Sequence, residues 1–165
     1  MKYIAVIIAF MMFGCGTEIN DTYSHRIAEW QEREKDCPAI ESICPDSGDL
    51  YMDLILLRSQ FQELQYQGDD PGNHWKTSCE TMNDNGGDCE DLAAFHLRML
   101  SDSCLPEKYG LDIRNRIYNK PGTNHVVVSV SGDQYFEIDN LTVIEESEIK
   151  SFPIIAEYQI RSHIQ

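Results

Sequence analysis

Apolar residues recur at helical spacing in two separate segments of the chain. Five of them, from Leu50 to Leu64, are separated by four, three, four and three positions, which is the stripe of an amphipathic helix that faces a core. The second stripe runs from Leu92 to Leu100. It predicts a helix that begins near Asp88, because Gly87 or Asp88 can cap it and Asp91 follows Asp88 three positions later. Cys89 then lies in the first turn of this helix.

Beyond residue 110 the spacing changes to a pattern typical of β-strands. Segments 111–118, 125–130 and 135–139 are short, rich in β-branched and aromatic residues, and bounded by turn-forming residues. Helices that precede antiparallel strands predict an α+β fold. The sequence contains no internal repeat.

The last two strand segments can be aligned as a hairpin by burying their apolar faces together. This alignment pairs Val126 with Ile138 and closes the hairpin with a loop at residues 131–133. It also places His125 directly opposite Asp139, on the face away from the core, with β-carbons about 4.5–5.5 Å apart. A carboxylate at that distance orients an imidazole.

Cys89, His125 and Asp139 have the residue types of a nucleophilic cysteine site. The dipole at a helix N-terminus stabilises a thiolate, and a histidine oriented by a carboxylate accepts the thiol proton. In this hypothesis Cys89 attacks the substrate, His125 moves the proton and Asp139 fixes the imidazole tautomer. Each residue alone is more often structural, and a lone cysteine is usually a small buried hydrophobe. Only the combination indicates an enzyme.

Three carboxylates, those of Asp88, Glu90 and Asp91, surround Cys89 in the sequence. Negative charge beside a thiol disfavours the thiolate, so something must offset it. A hard cation such as Ca²⁺, bound by these flanking carboxylates, would do so, because Ca²⁺ prefers oxygen ligands; Asp84 or the Asp69-Asp70 pair could add ligands. A cluster of solvated acids that caps the helix is the alternative, and the residues alone leave both interpretations open.

The first residues of the chain have the composition of an export signal. Lys2 precedes an apolar run at residues 3–13, and Gly14-Cys15-Gly16 follows. This end resembles a bacterial lipobox, which predicts a signal peptide at residues 1–14 and lipidation of Cys15; ordinary cleavage after Gly14 or Gly16 is the alternative. Residues 15–24 are the expected tether and residues 25–165 the domain. By resemblance to lipoprotein sorting rules, Gly16 favours the outer membrane over the inner membrane.

Composition narrows the class of protein further. The chain has 165 residues, of which 42% are hydrophobic, as expected for one soluble globular domain. It carries 28 acidic against 13 basic residues and a formal net charge of −15. Such a charge argues against binding DNA or RNA.

Four cysteines remain beside Cys15 and Cys89, and an exported protein can pair them in three ways. They are Cys37, Cys44, Cys79 and Cys104. The short segment that contains Pro38 favours a disulfide between Cys37 and Cys44. The alternative is that some of them are reduced and buried.

Several short motifs resemble the bacterial transglutaminase-like cysteine proteinase family, and within it the LapG-like periplasmic proteases. They lie within about residues 50–145 and are Trp75-x4-Glu80-Thr81, Gly87-Asp88-Cys89-Glu90-Asp91-Leu92-Ala93, His125-Val126-Val127-Val128 and Ile138-Asp139-Asn140-Leu141. The resemblance implies a papain-like or transglutaminase-like core, with N-terminal helices and the cysteine helix packed on an antiparallel sheet. It also implies that Cys89, His125 and Asp139 form the triad and that Asp88 and Glu90 are associated with calcium.

The resemblance further implies a calcium-dependent protease that cuts large surface adhesins and is sequestered by a receptor in the inner membrane. The expected function is therefore an exported, lipid-anchored cysteine peptidase that cleaves protein at the cell envelope. An acyltransferase with the same triad and a non-catalytic binding lipoprotein are the alternatives. The backbone N–H of Cys89 is the natural oxyanion donor, with Asn83, Asn85 or Trp75 as assistants.

Overall fold

The structure is a computed structural model that describes residues 18–68, 74–149 and 152–159. The expected signal peptide at residues 1–14, the expected lipidation site Cys15 and the candidate ligands Asp69 and Asp70 lie outside these ranges. Within them, no helix combines the length and the apolar character that crossing a membrane requires.

Helices dominate the first two thirds of the chain. They are α1 (Glu18–Glu34), α2 (Leu50–Ser59), α3 (Ser78–Asn83), α4 (Cys89–Asp102) and α5 (Leu105–Tyr109). Helix α1 includes residues 18–24 of the segment expected to be a tether. Helix α2 stops at Ser59, before the predicted Leu64, because the chain turns at residues 60–63; Leu64 is nevertheless buried.

A five-stranded antiparallel sheet follows, with the strand order β6-β5-β4-β3-β7. Its strands are β3 (Asp112–Lys120), β4 (Thr123–Ser131), β5 (Tyr135–Asp139), β6 (Thr142–Glu145) and β7 (Ile154–Tyr158). Two further short strands, β1 (Gln65–Tyr66) and β2 (Gly86–Gly87), pair in parallel ahead of α4. Helices preceding an antiparallel sheet agree with the predicted α+β order, whereas β6 and β7 were not predicted.

Helix α4 packs against one face of the sheet and forms the centre of the core. Its predicted stripe is buried throughout: Leu92, Phe95, Met99 and Leu100. The alternate positions of β4 that face it are buried as well: Val126, Val128 and Val130. Helix α1 contacts β7, where the Trp30 and Tyr158 rings meet edge to face with centroids 5.7 Å apart.

The β4–β5 hairpin has a different register from the predicted one. Val128 pairs with Ile138, and the loop comprises residues 132–134. Continued by one residue, this register places Asp139 opposite Val127, so His125 is its diagonal neighbour. A shift of two positions keeps His125 and Asp139 on the same face, because side chains alternate with a period of two. The predicted pairing was wrong, but the predicted shared face is retained.

The predicted disulfide between Cys37 and Cys44 is wrong. Cys37 is bonded to Cys79 of α3, and Cys44 is bonded to Cys104 at the start of α5. The segment after Cys37 leaves α1 and runs along the end of α4, where the Ile40 backbone N–H donates to Asp102 at 2.9 Å. Two cysteines near each other in sequence are thereby directed to two different helices.

Candidate active site

The sequence around Cys89 is shaped to start a helix at that residue. Asp88 is the N-cap of α4, and it forms a capping box with Asp91, as the sequence predicts. Gly87 must lack a side chain, since a β-carbon there would lie 2.4 Å from the Cβ of Asp91. Cys89 is consequently the first residue of α4, and its side chain is 8% exposed.

A strap at residues 74–77 lies beside this helix start and is held from two sides. The Lys76 backbone N–H donates to Asp91 Oδ1 at 2.7 Å, which ties the strap to α4. From α1, Trp30 Nε1 donates to the Lys76 carbonyl at 3.1 Å, and Arg33 donates to the Trp75 carbonyl. These bonds fix Trp75 next to Cys89.

Cys89 and His125 line the same cavity, which has a volume of about 440 Å³. Its walls also include Tyr23 and Arg26 of α1 and the strap residue Trp75. The cavity brings together two of the three predicted catalytic residues. Of the three proposed oxyanion assistants, Trp75 lines this cavity, whereas Asn83 and Asn85 are absent from its described lining.

The surroundings of the Cys89 thiol favour its protonated form. Its Sγ donates to Glu90 Oε2 at 3.2 Å. Burial, and then the charge of Glu90, raise the pKa of Cys89 to about 12, although the Val126 backbone amide acts in the opposite direction. The sequence-based expectation that the flanking acids disfavour a thiolate agrees with this environment.

His125 and Asp139 are in direct contact. His125 Nε2 lies 2.6 Å from Asp139 Oδ1. Because a carboxylate only accepts hydrogen bonds, the neutral ring carries its proton on Nε2, which leaves Nδ1 able to take a proton from a thiol. Burial alone would raise the pKa of Asp139, but His125 and Lys120 together hold it below its usual value.

Two solved structures of Legionella pneumophila LapG resemble the chain in three dimensions. The calcium-bound form matches with a TM-score of 0.53 and 18% identity, over 86% of this chain and 82% of the LapG chain. The EGTA-treated form matches with a TM-score of 0.53 and 19% identity, over 82% and 73% of the two chains. The fold is LapG-like. No family model and no curated protein matches the sequence, and at this identity residue roles do not follow from the likeness.

The two predicted calcium ligands lie at the same helix start of this LapG-like fold. Asp88 is 4% exposed, and burial together with the charge of Asp88 raises the pKa of Glu90. Crowded carboxylate oxygens of this kind fit a hard cation. In the described part of the chain, however, no group of three or more His, Cys, Asp or Glu side chains is placed to hold a metal. Backbone carbonyls or water would have to complete the shell.

Three parts of the site were missed by the sequence reasoning. Helix α1 supplies a wall of the cavity through Tyr23 and Arg26. The strap depends on Arg33, which also pairs with Glu80 at 3.0 Å. Lys120 lies 3.8 Å from Asp139 Oδ2. These contacts join residues far apart in the chain, so no local spacing signals them.

Proposed function

We propose that this protein is an exported cysteine peptidase that cleaves protein substrates at the bacterial cell envelope through Cys89, His125 and Asp139. The observation that carries the proposal is the 2.6 Å contact between His125 and Asp139, made by an imidazole that opens onto the cavity containing Cys89. Cys89 is the free cysteine among those described. The LapG-like fold and the motif resemblance support the same class.

The reaction would proceed as an acyl transfer from a peptide to water. Cys89 passes its proton to His125 Nδ1, and the thiolate sulfur bonds to the scissile carbonyl carbon. His125 then protonates the departing amine as the C–N bond breaks, and water cleaves the resulting thioester with His125 as the base. The Cys89 backbone N–H, unpaired within the first turn of α4, would face the oxyanion.

Asp88 and Glu90 would hold calcium if the protein binds it. The ion would supply positive charge beside the thiol, where burial and Glu90 now raise the pKa of Cys89. The attack on the scissile carbonyl and the proton transfers are assigned to Cys89 and His125, not to the ion. Calcium dependence is part of the proposal.

The location proposed for the protein is the periplasmic side of the envelope. Removal of residues 1–14 and lipidation of Cys15 would anchor it, with the outer membrane favoured over the inner. A surface adhesin as substrate and a regulatory membrane receptor as partner come from the motif resemblance alone.

One observation favours a second candidate, a non-catalytic binding lipoprotein on the same fold. The Cys89 thiol is hydrogen-bonded to Glu90, and burial together with the Glu90 charge strongly disfavours its ionisation. A thiol in that state is inert toward electrophiles. An acyltransferase that passes the acyl group to an amine would use the same residues as the peptidase.

Alkylation of Cys89 separates the peptidase from the binding protein. The full chain in detergent is treated with iodoacetamide at pH 7, first with Ca²⁺ and then with EGTA, and modification of Cys89 is followed by mass spectrometry. A peptidase predicts fast labelling with Ca²⁺ that slows at least about ten-fold in His125→Ala, whereas His25→Ala, on an exposed face of α1, leaves it unchanged. Slow labelling that ignores both His125 and Ca²⁺ would support the binding protein.

A further inference from the structure

We propose that Lys120 is a positioning residue, which fixes the Asp139 carboxylate from the outer face of the sheet so that Asp139 keeps His125 oriented. The catalytic meaning of this inference rests on the proposed function. Its structural meaning, a chain of contacts from Lys120 through Asp139 to His125, does not depend on it.

The two oxygens of the Asp139 carboxylate face different groups. Oδ1 lies 2.6 Å from His125 Nε2, and Oδ2 lies 3.8 Å from Lys120 Nζ. Lys120 ends β3 and Asp139 ends β5, with β4 between them. The lysine side chain therefore spans a full strand to reach the carboxylate.

Asp139 is reached by a cavity that is separate from the one at Cys89. This second cavity, of about 270 Å³, lies on the outer face of the sheet and is lined by both Lys120 and Asp139. Of these two cavities, His125 lines the first and Asp139 lines the second. The His125–Asp139 contact thus joins a residue that lines the first cavity to one that lines the second.

The second cavity gives solvent a route to Asp139 Oδ2. Lys120 is the only cation among its described lining residues, while Glu137 and Glu148 contribute further carboxylates. The Lys120 ammonium also lies 5.5 Å from the centre of the Phe152 ring, which restricts where it can point. Without Lys120, water would solvate Oδ2, and the carboxylate would rotate more freely relative to the imidazole.

The matched variants are Lys120→Met, which removes the charge but keeps most of the stem, and Lys120→Arg, which keeps the charge. Lys35→Met is the control, because it makes the same charge change in an exposed pair with Glu32 on α1. The first measurement is the rate at which the His125 ring N–H proton exchanges with water, read from its NMR signal. The second is the alkylation rate of Cys89.

Lys120→Met is expected to accelerate the exchange of the His125 ring proton about three- to five-fold, the factor typical of a partly exposed ion pair. Lys120→Arg should restore the slow exchange, and Lys35→Met should not alter it. The alkylation of Cys89 should slow by a similar factor in Lys120→Met. If the His125 ring proton exchanges at the same rate in Lys120→Met as in Lys35→Met, the inference is overturned.

The two readouts keep this inference distinct from the proposed function. If Cys89 of the unmodified chain labels slowly and without regard to His125, the peptidase proposal fails, yet the ring-proton exchange still decides the role of Lys120. If Lys120→Met does not fold, Lys120→Gln replaces it, with the same expected and contrary results.

Discussion

The two halves of the candidate site differ in how their polar groups are satisfied. On the sheet, His125 and Asp139 are in contact at 2.6 Å, and a cation stands behind the carboxylate. On helix α4, Cys89 is buried beside Glu90, whose charge disfavours the thiolate. The sheet half therefore holds its hydrogen-bond partners in place, whereas in the helix half burial and the charge of Glu90 both disfavour ionisation of the thiol.

A second residue of α4, His96, is also buried where its charged form is disfavoured. His96 is 1% exposed, and neither of its ring nitrogens has a hydrogen-bond partner. Burial, and then the charge of Arg58, lower the pKa of His96 to about 3. Apolar packing of α4 thus leaves the ring nitrogens of His96 buried without a partner. The difference indicates that reactivity would be controlled from the helix half, because there the thiol must lose its proton in surroundings that disfavour the thiolate.

The largest expected effect comes from breaking the start of α4. Gly86 has a φ of 141°, and a β-carbon there would lie 2.0 Å from the Gln65 carbonyl oxygen. Gly86→Ala must separate β1 from β2 immediately before Cys89, so the free energy of unfolding should fall by on the order of 3–5 kcal/mol. Urea denaturation measures it.

The control for this variant is Gly110→Ala. Gly110 also has a positive φ, of 62°, but a β-carbon there would meet no atom within 4 Å. Gly110→Ala should lower the free energy of unfolding by only about 1 kcal/mol, the penalty of a side chain on left-handed backbone. Equal losses in the two variants would mean that the close approach of β1 and β2 contributes nothing to the helix half.

The next effect is a change of about 2 kcal/mol in how the free energy of unfolding depends on pH, and it comes from His96. Unfolded histidine titrates near pH 6.5, whereas in the folded protein burial lowers the pKa of His96 to about 3. Below pH 6.5 the unfolded chain binds a proton that the folded chain does not, so stability falls as pH falls from about 6.5 to about 3. Between pH 7.5 and pH 5, the free energy of unfolding of His96→Leu should therefore fall by about 2 kcal/mol less than that of the unmodified protein.

Urea denaturation at the two pH values tests this expectation. His25→Leu is the control, since His25 is exposed on α1 and should leave the pH dependence unchanged. A His96→Leu protein with the same pH dependence as the unmodified chain would show that His96 finds a partner for its charge in the folded state.

Local spacing was sufficient to predict α2, apart from its end, and α4 with its start at the cysteine. The stripe from Leu92 to Leu100 and the capping pair Asp88–Asp91 are local patterns, and the structure has them as predicted. The hairpin register was less determined. Burying the same apolar residues is compatible with pairing Ile138 to Val126 or to Val128, and both registers close with a three-residue loop, so neither burial nor loop length decides between them.

Features set by tertiary contacts could not be predicted in this way. The disulfide partners Cys79 and Cys104 are chosen by where α3 and α5 pack. Strand β6 follows a two-residue turn in which Asn140 has a φ of 51°, a signal present in the sequence but not used. Lys120 reaches Asp139 across β4, which requires the sheet order to be known.

The smallest effect, a change in reaction rate of about ten-fold, tests the helix half directly. Glu90→Gln keeps an acceptor for the Cys89 thiol but removes the charge that, after burial, most raises the pKa of Cys89. Without calcium, Cys89 should then be alkylated about ten-fold faster at pH 7.5, as expected for a fall of one unit in a thiol pKa. Added Ca²⁺ should have little further effect, because a proposed ligand is gone.

Glu107→Gln is the matched control, because Glu107 is exposed on α5 and outside the described lining of the Cys89 cavity. Its alkylation rate should equal that of the unmodified chain. An unchanged rate in Glu90→Gln would mean that burial alone sets the state of the thiol. The contrast between the two halves would then be one of solvent exposure rather than charge, and calcium at Asp88 and Glu90 would have no charge to compensate.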